Sequence, residues 1–206
     1  MAPGKVDRDN GIVIGVVEDL EDPEKLGRVR VKIPHLGDTM SDWAYLVTPM
    51  AGKDRGLFFR PEKGDQVLVA HAQGDPRFPY ILGSMWSKSD PPPPDDGKPA
   101  DNNWRFIKSR SGHIVRLDDT SNKEKIEILD ESGSLKITLD SANKKIQITN
   151  DSGDVEVTSS SGNVNVSASG GQIKVSGLTV EVSAQSSLTL KSSGTLTIQG
   201  TMVQIN

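Results

Sequence analysis

The chain has 206 residues, with 28 acidic side chains against 24 basic ones and no cysteine. The formal net charge of −4 disfavours a protein that recognises phosphate groups, and the lack of cysteine excludes disulfides and thiolate metal sites. No apolar run reaches the roughly 18 residues that span a bilayer, and residues 1–10 lack the apolar core of a signal peptide. We therefore expect the chain to be made in the cytoplasm without a signal peptide.

Residues 1–10 are predicted to be an N-terminal extension, and residues 11–86 to be an ordinary globular domain. All three Trp, both Tyr and all four Phe residues precede residue 107, so the means to build a large core lie in this half. Segments such as Arg28–Ile33 and Gln66–His71 alternate between apolar and polar residues and are separated by Gly and Pro turns. Five or six such strands predict a small Greek-key barrel of the OB type.

Residues 87–103 are predicted to be a Pro-rich linker. The four consecutive prolines Pro91–Pro94 favour an extended polyproline conformation and exclude a helix or a central strand. The segment should therefore act as a semi-rigid spacer.

Residues 104–206 are predicted to form a needle, because apolar residues return in pairs with one residue between the two members. Residues two apart lie on the same side of a β-strand, and the intervening Gly, Ser, Asn and Asp residues supply corners. Steps of 7 to 11 residues between pairs leave room for one strand and one corner in each unit. The pairs are Ile126/Ile128, Leu135/Ile137, Ile146/Ile148, Val155/Val157, Val164/Val166, Ile173/Val175, Val180/Val182, Leu188/Leu190, Leu196/Ile198 and Val203/Ile205.

These repeats offer too little apolar surface for one chain to stabilise them. Each unit has two aliphatic side chains, no aromatic residue follows Phe106, and ordering the backbone costs roughly 1–2 kcal/mol per residue. Several copies winding about one axis would bury the pairs together, so the predicted fold class is all-β, an OB-fold barrel followed by an intertwined trimeric β-helix (β-prism). The paired aliphatics would form the trimer core. A disordered Ser/Gly-rich tail is the alternative, but disorder gives no reason for regularly spaced pairs.

The residues that carry enzyme chemistry are absent or scattered. His35, His71 and His113 are far apart and match no metal-ligand spacing. Asp95-Asp96 and Asp118-Asp119 are adjacent pairs, which suit turns and solvated surfaces better than paired catalysis. We expect no enzymatic activity, no metal and no cofactor.

One predicted strand carries a row of basic residues. Arg28, Arg30 and Lys32 alternate along it, and such a face can bind single-stranded nucleic acid in OB folds. The strand lacks the aromatic residues on which bases stack, and the net charge is negative. A solvated face or a protein contact is favoured, so we expect no nucleic-acid partner.

Several segments occur together in an order that is typical of one family. In the first domain they are Asp22–Val31 (DPEKLGRVRV), Trp43–Gly52 (WAYLVTPMAG), Arg55–Pro61 (RGLFFRP), Gly64–Val69 (GDQVLV) and Gly74–Trp86 (GDPRFPYILGSMW). They resemble the OB domain of central spike proteins in contractile injection machines. This family includes the baseplate spike proteins of contractile phage tails and the valine-glycine-repeat proteins of type VI secretion and extracellular injection systems. Arg110–Leu117 (RSGHIVRL), followed by Asp118-Asp119, resembles the start of their needle.

The resemblance implies a homotrimeric structural protein at the tip of a phage tail or injection particle. Its OB domains would attach to a baseplate hub, and its needle would cross the target envelope when the sheath contracts, with only transient membrane contact. Because about ten residues precede the barrel, we expect the hub to be a separate protein. No lysozyme-like domain separates barrel from needle, in contrast to some phage members.

The resemblance also implies a partner at the C-terminal end. Some phage spikes fold a metal-binding apex from a His-x-His motif, which is missing here. The family then uses a separate conical tip protein of the Pro-Ala-Ala-Arg repeat type, which we expect to bind Thr201, Met202, Val203, Gln204, Ile205 and Asn206.

Two other functions remain as alternatives. A trimeric glycan-binding fibre or adhesin would also need a long repeat, but it would be expected to expose aromatic residues on the needle, which has none after Phe106. An envelope-degrading enzyme is less favoured, since the sequence contains no recognisable catalytic motif.

Overall fold

A computed structural model describes residues 11–205 of the chain, and it is built from β-strands. The predicted N-terminal extension and Asn206 lie outside the described residues. The first domain contains β1 (Ile12–Asp19), β2 (Arg30–Ile33), β3 (Thr39–Met40), β4 (Tyr45–Leu46), β5 (Ala51–Gly52), β6 (Arg55–Gly56), β7 (Gln66–His71) and β8 (Pro79–Met85).

Six of these strands form one curled sheet in the order β3-β2-β1-β7-β8-β4. Neighbours are antiparallel, except that β4 runs parallel to β8. Val29, just before β2, and Ala44, just before β4, exchange two backbone hydrogen bonds with N–O distances of 3.1 and 2.8 Å. This bridge brings the two ends of the sheet together, so the sheet curls into a half-barrel. A curled all-β sheet with almost no helix fits the OB fold that the sequence predicts.

The core of the half-barrel is aliphatic rather than aromatic. It is built from Val13, Val17, Val29, Val31, Ile33, Ala44, Val67, Val69 and Ile81. Valine dominates because successive side chains of β2 and β7 alternate between the core and the outside, and a β-branched side chain packs well on a pleated surface. The aromatic residues that mark this half of the chain lie largely on its surface, with Phe58 72% exposed and Trp86 69% exposed.

The turn between β1 and β2 is organised by Asp22. Its carboxylate accepts hydrogen bonds from the backbone amides of Glu24 (3.1 Å), Leu26 (2.8 Å) and Arg28 (3.2 Å). The same carboxylate accepts a bond from Nη2 of Arg28 at 2.7 Å. The turn therefore has a buried ion pair at its centre, and it delivers the chain to the start of β2.

The helical content of residues 11–205 is confined to two short 3-10 turns, Pro34–Leu36 and Ala72–Gly74. Neither is long or apolar enough to cross a membrane.

A second sheet follows the Pro-rich segment. Its strands are β9 (Trp104–Lys108), β10 (Ile114–Asp118), β11 (Lys125–Leu129), β12 (Leu135–Asp140) and β13 (Lys145–Asn150). Each strand pairs with the next in an antiparallel meander. This part of the predicted needle thus pairs its strands within one chain, whereas the sequence analysis expects pairing between chains from residue 104 onwards.

Three of the hairpin turns in this sheet are stabilised by an aspartate at or just after the end of the preceding strand. These strands are β10, β11 and β12. Asp118 accepts hydrogen bonds from the amide and hydroxyl of Thr120, Asp130 from the amide of Leu135 at 2.9 Å, and Asp140 from the amide of Asn143 at 2.9 Å. Such side-chain contacts replace the ladder bonds that are lost at a turn. They close hairpins locally, without help from another chain.

Residues 153–205 form a separate unit of the described chain. Every residue in it is exposed, and no hydrogen-bonded strand forms within it. Stretches without assigned secondary structure alternate with bends, and successive bends begin seven to nine residues apart. The bends fall at residues 160–162, 169–171, 178, 185–186, 193–194 and 201.

Candidate functional site

The five-stranded sheet presents one face made of exposed aliphatic side chains. Val115 lies between Ile107 and Ile128 across neighbouring strands, and the same row continues to Ile137 and Ile148. A second, parallel row runs from Leu117 to Ile126, Leu139 and Ile146. Leu135 lies beside Ile137 on the same side of β12. We call this surface the apolar face; its members are Ile107, Val115, Leu117, Ile126, Ile128, Leu135, Ile137, Leu139, Ile146 and Ile148, each between 39% and 73% exposed.

The opposite face of the same sheet is more buried. It carries Arg116, Lys125 and Glu127 together with the half-buried Trp104, Phe106, Ile114 and Leu129, and we call it the polar face because of its charged groups. Arg116 donates from Nη2 to Oε2 of Glu127 at 2.5 Å, and Lys125 Nζ lies 3.1 Å from the other carboxylate oxygen. The guanidinium of Arg116 also stacks 4.1 Å above the ring of Trp104. Glu127 and Thr138 are buried although both are polar. The charged groups on this face therefore satisfy one another within the chain.

Electrostatics on the polar face favour the ionised carboxylates. Burial raises the pKa of Glu127, but the hydrogen bonds from Arg116 and Lys125 outweigh it and hold the pKa below its usual range. The same balance applies to Asp118, where burial is outweighed by the hydrogen bonds from Thr120, so that its pKa is also lowered. Asp118 thus has a turn role, in line with the interpretation of the Asp118-Asp119 pair.

The exposure of the two faces of this sheet is the reverse of that in an ordinary globular protein. There, an antiparallel sheet buries its apolar face against the core and exposes its polar face to solvent. Here ten aliphatic side chains form a contiguous exposed surface, while charged side chains on the polar face pair with one another: Glu127 pairs with Arg116 and Lys125. Large contiguous apolar surfaces on soluble domains mark interaction sites. The apolar face is therefore the strongest candidate site in the described chain.

The predicted trimer-core residues divide between the two units. Ile126, Ile128, Leu135, Ile137, Ile146 and Ile148 are brought together on the apolar face. The other fourteen predicted core residues lie in residues 153–205. None of the twenty is buried in the single chain. The predicted core is one that three chains share, so it stays a prediction.

The second members of the pairs in residues 153–205 are the more exposed in the single chain. Each is 62% to 87% exposed, and they are Val157, Val166, Val175, Val182, Leu190, Ile198 and Ile205. The first members are 49% to 60% exposed, and they are Val155, Val164, Ile173, Val180, Leu188, Leu196 and Val203. The physical reason is that no neighbouring strand packs on this unit, so two aliphatics per repeat have nothing to pack against.

One copy of residues 153–205 builds no core from these pairs, and the two members of a pair are not equally exposed. That the pairs meet those of other chains stays a prediction.

Four members of the apolar face were missed by the sequence analysis. Ile107, Val115, Leu117 and Leu139 belong to it through strand pairing. Three of these four, Val115, Leu117 and Leu139, show the same two-residue spacing of apolar residues, in Val115/Leu117 and Ile137/Leu139. The sequence therefore contained the signal that predicts them. The place of Ile107 became visible only through its pairing with Val115.

The predicted tip-binding residues lie at the end of the described chain. Thr201 to Ile205 are all exposed, and Met202 is 84% exposed. Asn206, the last predicted member, lies outside the described residues.

The half-barrel also has an apolar surface, around the β5-β6 hairpin. A broad groove runs between the Asp22 turn and the loops on either side of that hairpin. Leu26, Val47, Met50, Leu57, Phe58 and Phe59 line it, and each is at least 45% exposed. This surface is rich in the large apolar side chains that dominate protein interfaces.

The basic residues of β2 and its approach are engaged in contacts within the protein. Arg28 pairs with Asp22, Nε of Arg30 donates to the carbonyl of Ser41 at 2.9 Å, and Lys32 lies 3.7 Å from a carboxylate oxygen of Glu18. Trp43, from the neighbouring segment, lies beside Arg30 at 5.8 Å. Sequence reasoning missed this aromatic neighbour because it comes from another strand region.

The histidines form no site. His71 is buried, and neither of its ring nitrogens has a hydrogen-bond partner. His113 lies in the β9-β10 hairpin and His35 in the first 3-10 turn. Among residues 11–205 there is no group of three or more His, Asp or Glu side chains that could hold a metal ion.

Comparison with known proteins agrees with the architecture of the first domain. No curated protein matches the chain. Residues 13–86 match the family model of the Type VI secretion system/phage-baseplate injector OB domain. The matched range spans the curled sheet from β1 to the end of β8. The half-barrel is therefore similar to the OB domain of baseplate and spike proteins, and this similarity supports a structural protein of a phage or type VI-like injection system.

Proposed function

We propose that this chain is the central spike of a contractile injection machine, and that it works as a homotrimer. The observation that carries the proposal is the combination of an injector-type OB domain with a C-terminal segment whose aliphatic pairs are all exposed. Residues 153–205 bend at regular intervals, yet no strand forms within one chain. Strand pairing and cover for the exposed aliphatics are both supplied if three copies wind into a β-helix.

The proposed needle suits the transmission of force. In an intertwined rod the backbone groups of each level bond to neighbouring chains, so no single strand can peel away without breaking bonds at both edges. Ser, Thr and Gly dominate the surface between the aliphatic pairs, which makes the rod slim. The sheath would supply the work, and the spike would carry it through the target envelope without catalysing a reaction.

The partners follow from the position of each surface. The apolar groove around Phe58 and Phe59 is proposed to bind the baseplate hub, because it gathers large exposed apolar side chains on the OB domain. Residues 201–206 would bind a conical tip protein of the Pro-Ala-Ala-Arg type, because this segment exposes the apolar side chains of Met202 and Ile205 by 84% and 87%. Contact with the target membrane would be transient, and no nucleic acid or cofactor takes part.

The test is the absolute mass of the purified full-length protein by light scattering, with and without SDS at room temperature. The expected result is a mass of about three times 22.2 kDa that survives the detergent. An intertwined needle resists SDS because its strands cannot separate one at a time. A monomer at micromolar concentrations would overturn the proposal, because the repeat segment would then have no partner.

A further inference from the structure

We propose that the apolar face of the five-stranded sheet is where three copies first meet, and that it sets the register in which their repeats align. This inference rests on the trimeric spike proposed above. It assigns the start of assembly to residues 104–150 rather than to the longer repeat segment that follows.

The apolar face is complete before any second chain arrives. All five strands pair with their neighbours in sequence through hairpins, and the turns are closed by side chains such as Asp130 and Asp140. Local hairpin contacts cost little loop-closure entropy and form quickly. On the other face, Arg116 and Glu127 form an ion pair within the same chain, so these two charges need no partner from a second chain. Each chain therefore offers a finished docking surface.

Residues 153–205 cannot offer such a surface, because they have no strand pairing of their own. Their units are also nearly equivalent, since each has two aliphatics of similar size and is followed by a bend or a polar step of seven to nine residues to the next pair. A chain displaced by one unit would still place aliphatic pairs against aliphatic pairs. Strands with repetitive, Gly-rich sequence specify register weakly and are prone to slip. The repeats need an upstream element that is not repetitive.

The five-stranded sheet supplies this non-repetitive element, because one corner of its apolar face carries the charged residues Arg105 and Asp119. Arg105 of β9 lies opposite Leu117, in the row that continues through Ile126. It pairs with Asp119 at the same end of the sheet. A copy displaced along the face by one strand would bury the Arg105–Asp119 ion pair against aliphatic side chains, and the desolvation of such a pair can cost more than its charges regain by attraction. The correct register keeps Arg105 at the rim.

The occupant of the face is two further copies of this chain. The aliphatic pairs continue along the sequence from the face into the repeat segment without a break: Ile146/Ile148 is followed by Val155/Val157 after the same nine-residue step that separates Val155/Val157 from Val164/Val166. The pairs that dock within residues 104–150 and the pairs that must be covered within residues 153–205 therefore belong to one series. A partner of another kind would cover the sheet and leave these repeats exposed.

The experiment compares three variants of the full chain by light scattering. Ile128→Asp places a carboxylate at the centre of the apolar face, and Thr149→Asp places one on the opposite face of the same sheet, beside Lys136. Val180→Asp places one in the repeat segment. We expect Ile128→Asp to lower the mass threefold, to that of a monomer, and both other variants to remain trimers. In the Val180→Asp trimer, the part of the needle around the substitution should become sensitive to protease.

The fold of the variants needs its own measurement. Ile128 is half exposed in the single chain, so the Asp variant should keep its β-structure by circular dichroism. If it does not, Ile148→Asp decides instead, because Ile148 is 67% exposed on the same face.

The outcomes separate this inference from the proposed function. A trimeric wild type with a trimeric Ile128→Asp variant, a monomeric Thr149→Asp variant or a monomeric Val180→Asp variant would overturn the assembly role of the face and leave the spike intact. A monomeric wild type would overturn both.

Discussion

At the scale of single residues, Asp22 shows how one carboxylate organises a turn. It is 3% exposed and binds three backbone amides together with the guanidinium of Arg28. The hydrogen bond from Arg28 is the main cause that holds the pKa of Asp22 well below its usual range, and the backbone amides add to it against the cost of burial. The turn therefore depends on the ionised form of this one side chain.

Replacement of Asp22 by Asn should lower the melting temperature of the OB domain by several degrees at pH 7, because the ion pair with Arg28 is lost. A lowered pKa in the folded state gives stability that is fully present above the usual aspartate pKa of about 4 and is lost as the pH falls through the folded value. The difference between wild type and Asp22→Asn should therefore shrink in strong acid. Thermal unfolding followed by tryptophan fluorescence at several pH values measures it.

Asp38→Asn is the matched control for this experiment, because Asp38 is exposed in a turn and Asn tolerates its positive φ of 58°. It removes the same charge without removing a buried ion pair, so its melting temperature should stay near that of the wild type. Equal effects of the two substitutions would show that net charge, rather than the Asp22 contacts, sets the stability.

At the scale of elements, the two sheets illustrate opposite uses of strand alternation. In the half-barrel, β2 and β7 turn their valines inwards, and the core closes within one chain. In the meander, the aliphatic positions are turned outwards and the polar face is satisfied by Arg116 and Glu127. The same two-residue period thus produces a domain in one case and an interaction surface in the other.

Close packing between β1 and β2 makes Gly15 sensitive to any side chain. A Cβ atom there would lie 2.9 Å from Cγ2 of Val31 and 3.1 Å from Cγ2 of Val69, both on fully buried residues. Gly15→Val should therefore destabilise the OB domain by about 1–3 kcal/mol, as overpacked cores do. Urea denaturation measures this change.

Gly83→Val in β8 serves as the control, since nothing lies within 4 Å of its added Cβ. Valine is also favoured in strands, so this variant should be as stable as the wild type or slightly more stable. A destabilised Gly83→Val together with an unchanged Gly15→Val would mean that the sheet is packed differently.

At the scale of the whole molecule, the described chain contains a part with strand pairing and a part without it. The half-barrel and the meander have hydrogen-bonded strand ladders, whereas residues 153–205 have none. The stability of the needle should then depend on association, and that of the OB domain should not.

Hydrogen exchange can show this division directly. In the proposed wild-type trimer, backbone amides of residues 153–205 should exchange slowly, because neighbouring chains would bond to them. In the monomer that Ile128→Asp is expected to form, they should exchange at the rate of an unstructured chain, while β1 and β7 stay protected. Slow exchange of residues 153–205 in a monomer would instead indicate a fold that one chain builds for itself.

Local periodicity was enough to predict much of this protein. The alternation in Arg28–Ile33 and Gln66–His71 predicted β2 and β7, and the combination of short strands predicted an OB-type barrel, which the curled sheet fits. The spacing of aliphatic pairs also predicted the regular rhythm of residues 153–205. These features depend on residues that are close in sequence, because side chains two residues apart in a strand lie on the same face.

The tertiary structure alone decided features that depend on residues far apart in the chain. The bridge between Val29 and Ala44 curls the first sheet, and the aromatic residues lie outside a valine core. Strand pairing within one chain places Ile107 on the apolar face, beside Val115. It also places Arg116 opposite Glu127, so that the two form an ion pair on the polar face. Sequence periodicity names the residues that share a face of one strand. Pairing with a neighbouring strand is needed to decide which faces join into a surface, and whether that surface is buried or left for a partner.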